Sequence, residues 1–290
     1  MSGAPARPIF KEVSMNAFEE AKAKTAQAYN AAADLFDHPA NTFWNRFGSN
    51  TVERLNLLPG ERVLDVCSGT GASALPAAIK VGPRGSVLAV DLADKLLAEA
   101  KTKAEAKRLK NLEFRAGDML ALGYPDGHFD AVICIFGIFF VPDMAAAVEE
   151  LWRNVRPGGR LAITTWGPDL FEPANSLFWQ AVQRERPELY KGFNPWDRIS
   201  SPEGLAEMLA EAGLHNVDVN IVAEPAVHPL SSPEDWWTLA MGSGYRGTLD
   251  QLEPDQLQRV KQVNLAELET KSVCEIEANV IYAVATKPLT

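Results

Sequence analysis

Short apolar runs alternate with longer amphipathic segments in the middle of the chain, between residues 60 and 166. A hydrophobic run that polar residues do not interrupt is typical of a strand buried on both faces of a parallel sheet. The alternation therefore predicts a doubly wound, mostly parallel Rossmann-like α/β sheet with right-handed crossovers. Strands are predicted at 62–66, 86–90, 112–116, 131–135 and 160–166, and helices at 72–80, 94–109 and 143–155.

The pattern changes on both sides of this region. Residues 1–14 predict a loose arm, and the polar periodicity that follows predicts helices over 16–36 and 50–58. After residue 166 the chain resumes the strand-and-helix pattern only in part, with a helix at 202–212 and strands at 217–222 and 279–286. These two strands bring the predicted sheet to seven.

Two interruptions of the pattern predict a cap on this sheet. The segments at about 167–201 and 226–270 combine aromatic residues, prolines and helical stretches. We therefore predict an N-terminal helical segment over 1–59 and a core over 60–290 that carries these two cap insertions.

Composition and charge narrow the possible partners. The 290 residues carry a formal net charge of −10, which argues against a nucleic-acid backbone or an anionic membrane as the main partner. We see no secretory signal and no apolar run long enough to span a bilayer. The three cysteines suit reduced thiols in a cytoplasm, and neither they nor the four histidines show metal-ligand spacing. We expect a cytoplasmic monomer or homodimer that holds no metal and acts on a small molecule.

The sequence VLDVCSGTG at 63–71 is a buried strand that ends in an acid and a glycine loop. Gly69 and Gly71 allow the backbone to turn sharply and to approach a ligand closely. The alanine-rich helix that follows would point its N-terminal amides at whatever lies on the loop. Strand, loop and helix together predict a nucleotide-type pocket.

Acidic residues follow the first three predicted strands, at the edge where open α/β sheets bind ligands. Asp65 is a candidate to orient the loop or to take a ligand ammonium, Asp91 to accept ribose hydroxyls, and Asp118, after Gly117, to accept an exocyclic amine. Three acids would repel a pyrophosphate but suit a cation, which favours S-adenosylmethionine over NAD. The NAD alternative stays open, because Gly69-x-Gly71-x-x-Ala74 with Asp91 also fits a dinucleotide fingerprint.

Five segments in this order resemble the class I S-adenosylmethionine-dependent methyltransferases, especially the group that includes ubiquinone and menaquinone C-methyltransferases. They are VLDVCSGTG at 63–71, AVDLA at 89–93, RAGDM at 115–119, FDAVICIFGIFFVPD at 129–143 and VRPGGRLAITTW at 155–166. The chain departs from the family at Cys67, where the first motif usually has glycine. The resemblance implies the fold, the cofactor and a methyl transfer to an O, N, C or S atom.

The resemblance also implies roles for individual residues. The loop Cys67, Ser68, Gly69, Thr70 and Gly71 would wrap the methionine moiety, Asp91 would hold the ribose, Leu92 would flank the adenine, and Asp118 with Met119 would bind its edge. Ile135 and Phe136 would lie near the sulfonium, and Tyr29 and Trp44 in the N-terminal helices would close over the cofactor.

The acceptor side is predicted from residue types alone. Candidate contacts with a partly apolar or aromatic acceptor are Phe139, Phe140, Trp166 and Trp236. Arg246 would pair an acidic acceptor or make a surface ion pair, and His228 is the first candidate for a general base. A non-catalytic S-adenosylmethionine-fold binding protein remains an alternative, as does a dehydrogenase, although the chain has no Tyr-x-x-x-Lys pair.

Overall fold

A computed structural model describes residues 15–289 and builds them around a seven-stranded sheet in the order β3-β2-β1-β4-β5-β9-β6. The strands of this sheet are β1 (Arg62–Val66), β2 (Ser86–Asp91), β3 (Leu112–Ala116), β4 (Phe129–Ile135), β5 (Val155–Trp166), β6 (Asp218–Glu224) and β9 (Val280–Thr286). Two short strands, β7 (Val227–Pro229) and β8 (Glu275–Glu277), form a separate antiparallel pair. The predicted sheet class and strand number are confirmed.

The helices surround this sheet and form the cap. They are α1 (Met15–Phe36), α2 (Phe43–Leu55), α3 (Ala74–Val81), α4 (Asp94–Ala106), α5 (Met144–Asn154), α6 (Ala174–Glu185), α7 (Pro202–Leu209), α8 (Pro233–Met241), α9 (Arg246–Leu249) and α10 (Pro254–Thr270). The two cap insertions contain α6, α8, α9 and α10, and α10 packs there against α6 and α8. The N-terminal helix α1 packs against α8 and α9 of the cap and against α4 of the core. The predicted arm, residues 1–14, lies outside the described residues.

Strands β1 to β5 run parallel, and β9 is antiparallel to both of its neighbours, β5 and β6. In β1, Leu64 and Val66 pack in the larger core and Val63 packs in the smaller one, so the strand is buried on both faces. This burial is the reason why its apolar run is continuous. The carboxyl ends of β1 to β4 therefore meet at one edge of the sheet.

The prediction of a helix over 50–58 was wrong in its bounds. Helix α2 begins at Phe43 because Phe43, Phe47 and Leu55 are all buried and share one helix face at near four-residue spacing. It ends before Asn56, which takes a left-handed conformation with φ of 49°.

None of the helices in the described range 15–289 is long and apolar enough to cross a bilayer.

Candidate active site

A cavity of about 260 Å³ lies at the carboxyl ends of β1 to β4, beneath α1 and the cap. Most residues predicted to bind the cofactor line it, namely Tyr29, Trp44, Cys67, Ser68, Gly69, Thr70, Asp91, Leu92, Gly117, Asp118, Met119, Ile135 and Phe136. The sheet topology brings them together, because each loop follows a neighbouring parallel strand.

The glycine loop turns through left-handed backbone conformations. Cys67, Gly69 and Gly71 have φ of 54°, 52° and 83°, and the amide of Gly71 donates to the carbonyl of Ser68 over 2.8 Å. Gly71 does not line the cavity, which corrects its predicted contact with the cofactor. A Cβ there would lie 2.1 Å from the Cδ1 of Leu75, so glycine allows the loop to pack on α3.

Asp91 joins the loop after β1 to the start of the segment after β2. One carboxylate oxygen accepts from the amide of Gly69 and the other from the amide of Ala93, each over 2.8 Å. Burial raises the pKa of Asp91, while these amide donors oppose the shift. Each oxygen keeps a further lone pair that can accept a ligand hydroxyl.

Asp65 is fully buried and does not line the cavity, so the predicted contact with the cofactor is wrong in this structure. One of its oxygens accepts from the Ser73 hydroxyl over 2.7 Å, and the other has no hydrogen-bond partner among residues 15–289. Burial raises the pKa of this carboxyl to about 7. This placement agrees with the other role considered for Asp65, the orientation of the loop.

Asp118 already has partners for both oxygens. Its Oδ2 accepts from the ammonium of Lys22 in α1 over 2.7 Å, and its Oδ1 accepts from the amide of Leu120 over 2.9 Å. Lys22 was not predicted, and it ties α1 to the loop after β3.

Cys67 takes the glycine position of the motif because its neighbour Gly137 leaves room for its side chain. A Cβ on Gly137 would lie 2.5 Å from the Cβ of Cys67 and 3.2 Å from the Sγ of Cys134. The nearby Cys134 thiol and burial raise the pKa of Cys67 well above its usual value. Cys67 therefore stays a neutral thiol, as expected for a small loop residue rather than a nucleophile.

Aromatic side chains form the wall beyond the strand ends. Phe139, Phe140 and Trp166 line the cavity, as predicted for the acceptor side. Trp166 stacks on Phe136 with ring centroids 3.8 Å apart.

Three other predicted residues lie outside the cavity. His228 is buried on β7 and its Nε2 donates to the carbonyl of Ala40 over 2.6 Å, so the general-base prediction is corrected. Trp236 is fully buried in the cap, where its indole donates to Asn264 over 2.9 Å. Arg246 pairs with Asp250 over 2.6 Å, which is the surface ion pair already considered for it.

Sequence reasoning missed several cavity residues, namely Lys22, Trp179, Lys191, Phe193, Trp196 and Tyr245. The aromatic members lie in the two cap insertions, and their density was the available signal. No local pattern distinguishes those that face the cavity from those that only pack.

Comparison with known proteins agrees with this geometry. Residues 12–179 match the ubiE/COQ5 methyltransferase family. Aklanonic acid methyltransferase DauC of a Streptomyces species is 30% identical over 66% of this chain and 92% of its own length. Demethylmenaquinone methyltransferase of Bacillus mycoides is 30% identical over 68% of this chain and 86% of its own length.

Solved structures share the fold at lower identity. An S-adenosylmethionine-dependent methyltransferase of Aquifex aeolicus matches with a TM-score of 0.51 and 22% identity, over 67% of this chain and 91% of its own. Phosphoethanolamine N-methyltransferase 2 of Haemonchus contortus, in complex with S-adenosylmethionine, matches with a TM-score of 0.55 and 19% identity. The match covers 96% of this chain and 61% of the other. Neither the oxidoreductase nor the non-catalytic alternative is supported. The chain belongs to the ubiE/COQ5 methyltransferase family and is an S-adenosylmethionine-dependent methyltransferase.

Proposed function

We propose that the cavity at the strand ends binds S-adenosylmethionine and that the enzyme methylates a small, quinol-like aromatic acceptor held between the strand ends and the cap. The observation that carries the proposal is one continuous cavity with two different halves. Asp91 and the glycine loop line one half, and the rings of Phe139, Phe140 and Trp196 line the other.

Unpartnered polar groups support the assignment of the cofactor. The Ser68 hydroxyl and the Trp44 indole N–H are buried, line the cavity and have no hydrogen-bond partner among the described residues. Buried polar groups normally have partners, so these two atoms fit a polar ligand. Ser68, Trp44 and Asp91 would hold the amino acid and ribose parts of the cofactor.

For the methyl transfer, the protein mainly has to align the cofactor with the acceptor and to exclude water. The cofactor supplies an electrophilic methyl group on a sulfonium. Phe136 and Trp166 wall the site with apolar rings, and Asp91 contributes negative charge on the cofactor side. Proximity in a dry site accounts for much of such a rate enhancement. An acceptor that enters as its phenolate has already lost a proton to water, so the methylation of its oxygen would need no base in place of His228.

The acceptor class is proposed from the relatives and from the cap. The two curated relatives are named for aklanonic acid and demethylmenaquinone as acceptors. In this chain, Trp196 packs edge-on against Phe139 at 5.3 Å, and Phe140 packs against Phe139 at 4.9 Å. Aromatic walls of this kind favour a planar ring system.

Isothermal calorimetry with S-adenosylmethionine tests the cofactor assignment. We expect Asp91→Asn to weaken binding about 10- to 100-fold, because charge-assisted hydrogen bonds are worth about 1.5–3 kcal/mol each. The exposed Asp218→Asn is the matched control and should bind as the wild type does. Wild-type protein that binds NAD but not S-adenosylmethionine would refute the assignment, and transfer of labelled methyl to a naphthoquinol tests the acceptor class.

A further inference from the structure

The charges that line the cavity differ between its two sides. On the sheet side, Asp91 and Asp118 are acidic, and Lys22 neutralises Asp118. On the cap side, Lys191 is the charged residue, and no acid from the described chain lines that side. An acceptor that enters through the cap therefore meets an uncompensated positive charge.

Lys191 has no partner of its own within residues 15–289. It takes part in no salt bridge or side-chain hydrogen bond, and its ammonium lies 6.0 Å from the ring centroid of Trp179. Desolvation lowers the pKa of Lys191, and no nearby carboxylate opposes that shift. Lys191 is exposed to solvent while it lines the cavity, so an anionic ligand in the cavity can reach its ammonium and form a charge-assisted hydrogen bond with it.

Two aromatic residues that follow Lys191 in the chain also line the cavity. Phe193 is 74% exposed although it lines the cavity, and Trp196, which also lines it, packs edge-on against the buried Phe139. A large apolar ring left in solvent beside a binding site is typical of a surface that a ligand covers. Lys191, Phe193 and Trp196 belong to one short stretch of the first cap insertion.

From this arrangement we propose that the acceptor carries a carboxylate on its aromatic ring system, that Lys191 pairs with this carboxylate, and that the ring lies against Phe193 and Trp196. The inference rests on the proposed function, since it concerns the acceptor of the same cavity. Lys191 would then determine which acceptor binds, and it would take no part in the methyl transfer itself.

Equilibrium dialysis with two matched probes tests the inference. The probes are 3-hydroxy-2-naphthoate and 2-naphthol, which differ by one carboxylate, and binding is measured with and without S-adenosylhomocysteine. We expect wild-type protein to bind the naphthoate about 10-fold more tightly than the naphthol. Lys191→Gln should reduce this ratio to about 2-fold or less, and Lys191→Arg should keep most of it. The ratio should also fall as salt is added.

The exposed Lys101→Gln in α4 is the control, and it should retain the wild-type ratio. Because each ratio compares two probes on one protein, a general loss of stability in a variant cancels. Equal affinities in the wild type, an unchanged ratio in Lys191→Gln, or no binding of either probe overturns the inference. Calorimetry with S-adenosylmethionine on the same samples reports separately on the proposed function.

Discussion

At the scale of single residues, the first position of the glycine loop shows how the chain accommodates a departure from its family. Cys67 has a left-handed backbone, which costs a residue with a Cβ about 1–2 kcal/mol. Its side chain lies over Gly137, where a Cβ would come within 2.6 Å of the Cys67 Sγ. The thiol at one position and the missing side chain at the other are therefore complementary.

We expect Gly137→Ala to destabilise the fold by about 1–3 kcal/mol, because the new methyl overpacks this contact. The backbone of Gly137, with φ of −118°, suits alanine, so the cost comes from the contact alone. Urea unfolding of the wild type, Gly137→Ala, Cys67→Gly and the double variant measures it. Gly137→Ala should cost at most half as much in the Cys67→Gly background as in the wild type, and an equal cost in both would mean that the two positions are not coupled.

Asp65 gives the fold a pH dependence of unusual sign for a carboxyl. Its pKa is raised from 3.8 to about 7, so the native state holds a proton that the unfolded state releases. The contribution of Asp65 to stability therefore falls as the pH rises from about 4 to about 7, by about 4 kcal/mol.

Asp65→Asn should remove this component, so that stability relative to the wild type improves as the pH rises through that window. Ser73→Ala should keep the loss of stability with rising pH and extend this loss to higher pH, because the Ser73 hydroxyl lowers the pKa of Asp65. Free energies of unfolding from urea titrations at several pH values give the comparison. Parallel curves for the wild type and Asp65→Asn would contradict the assignment.

At the scale of elements, α1 is attached to the loops that surround the cavity. Lys22 bonds Asp118 after β3, and the Asn30 amide donates to Asp94 after β2 over 2.8 Å. At the end of the helix, Asp37 accepts from the Thr70 hydroxyl after β1 over 2.9 Å. The helix thus contacts the same three loops that we assign to the cofactor.

We expect S-adenosylhomocysteine to slow hydrogen exchange of the amides over residues 22–36. If the helix must open before the ligand leaves, saturation to 100 times Kd slows exchange up to about 100-fold. Mass spectrometry of the exchanged peptides measures this, with α10 as the internal reference and NAD as the control ligand. Equal protection with and without S-adenosylhomocysteine would show that α1 does not cover the ligand.

At the scale of the whole molecule, the part predicted well from the sequence is the part built from local signals. The loop around Gly69 and the acid Asp91 follow directly after apolar strands, and parallel pairing brings such strand ends together. The sheet and the residues at its ligand-binding edge can therefore be predicted from short segments of sequence, each taken by itself.

The cap residues that line the cavity could not be predicted in the same way, because they come from segments far apart in the chain. Lys191 and Tyr245 line one cavity because α6 and α8 both pack on α10 and α8 packs on α9, which no periodicity encodes. His228 was misassigned for a related reason: its position after β6 is compatible with a site, but the strand pair β7–β8 turns it towards Ala40.

Strand β9 has a consequence for the way in which the chain is made. It lies between β5 and β6, and within the described sheet β6 pairs with β9 alone. During synthesis β5 emerges more than one hundred residues earlier, so its outer edge stays unpaired for roughly ten seconds. An open edge accepts any extended segment that meets it. The order of synthesis therefore leaves an interval, before β9 is made, in which the edge of β5 can pair with the wrong segment.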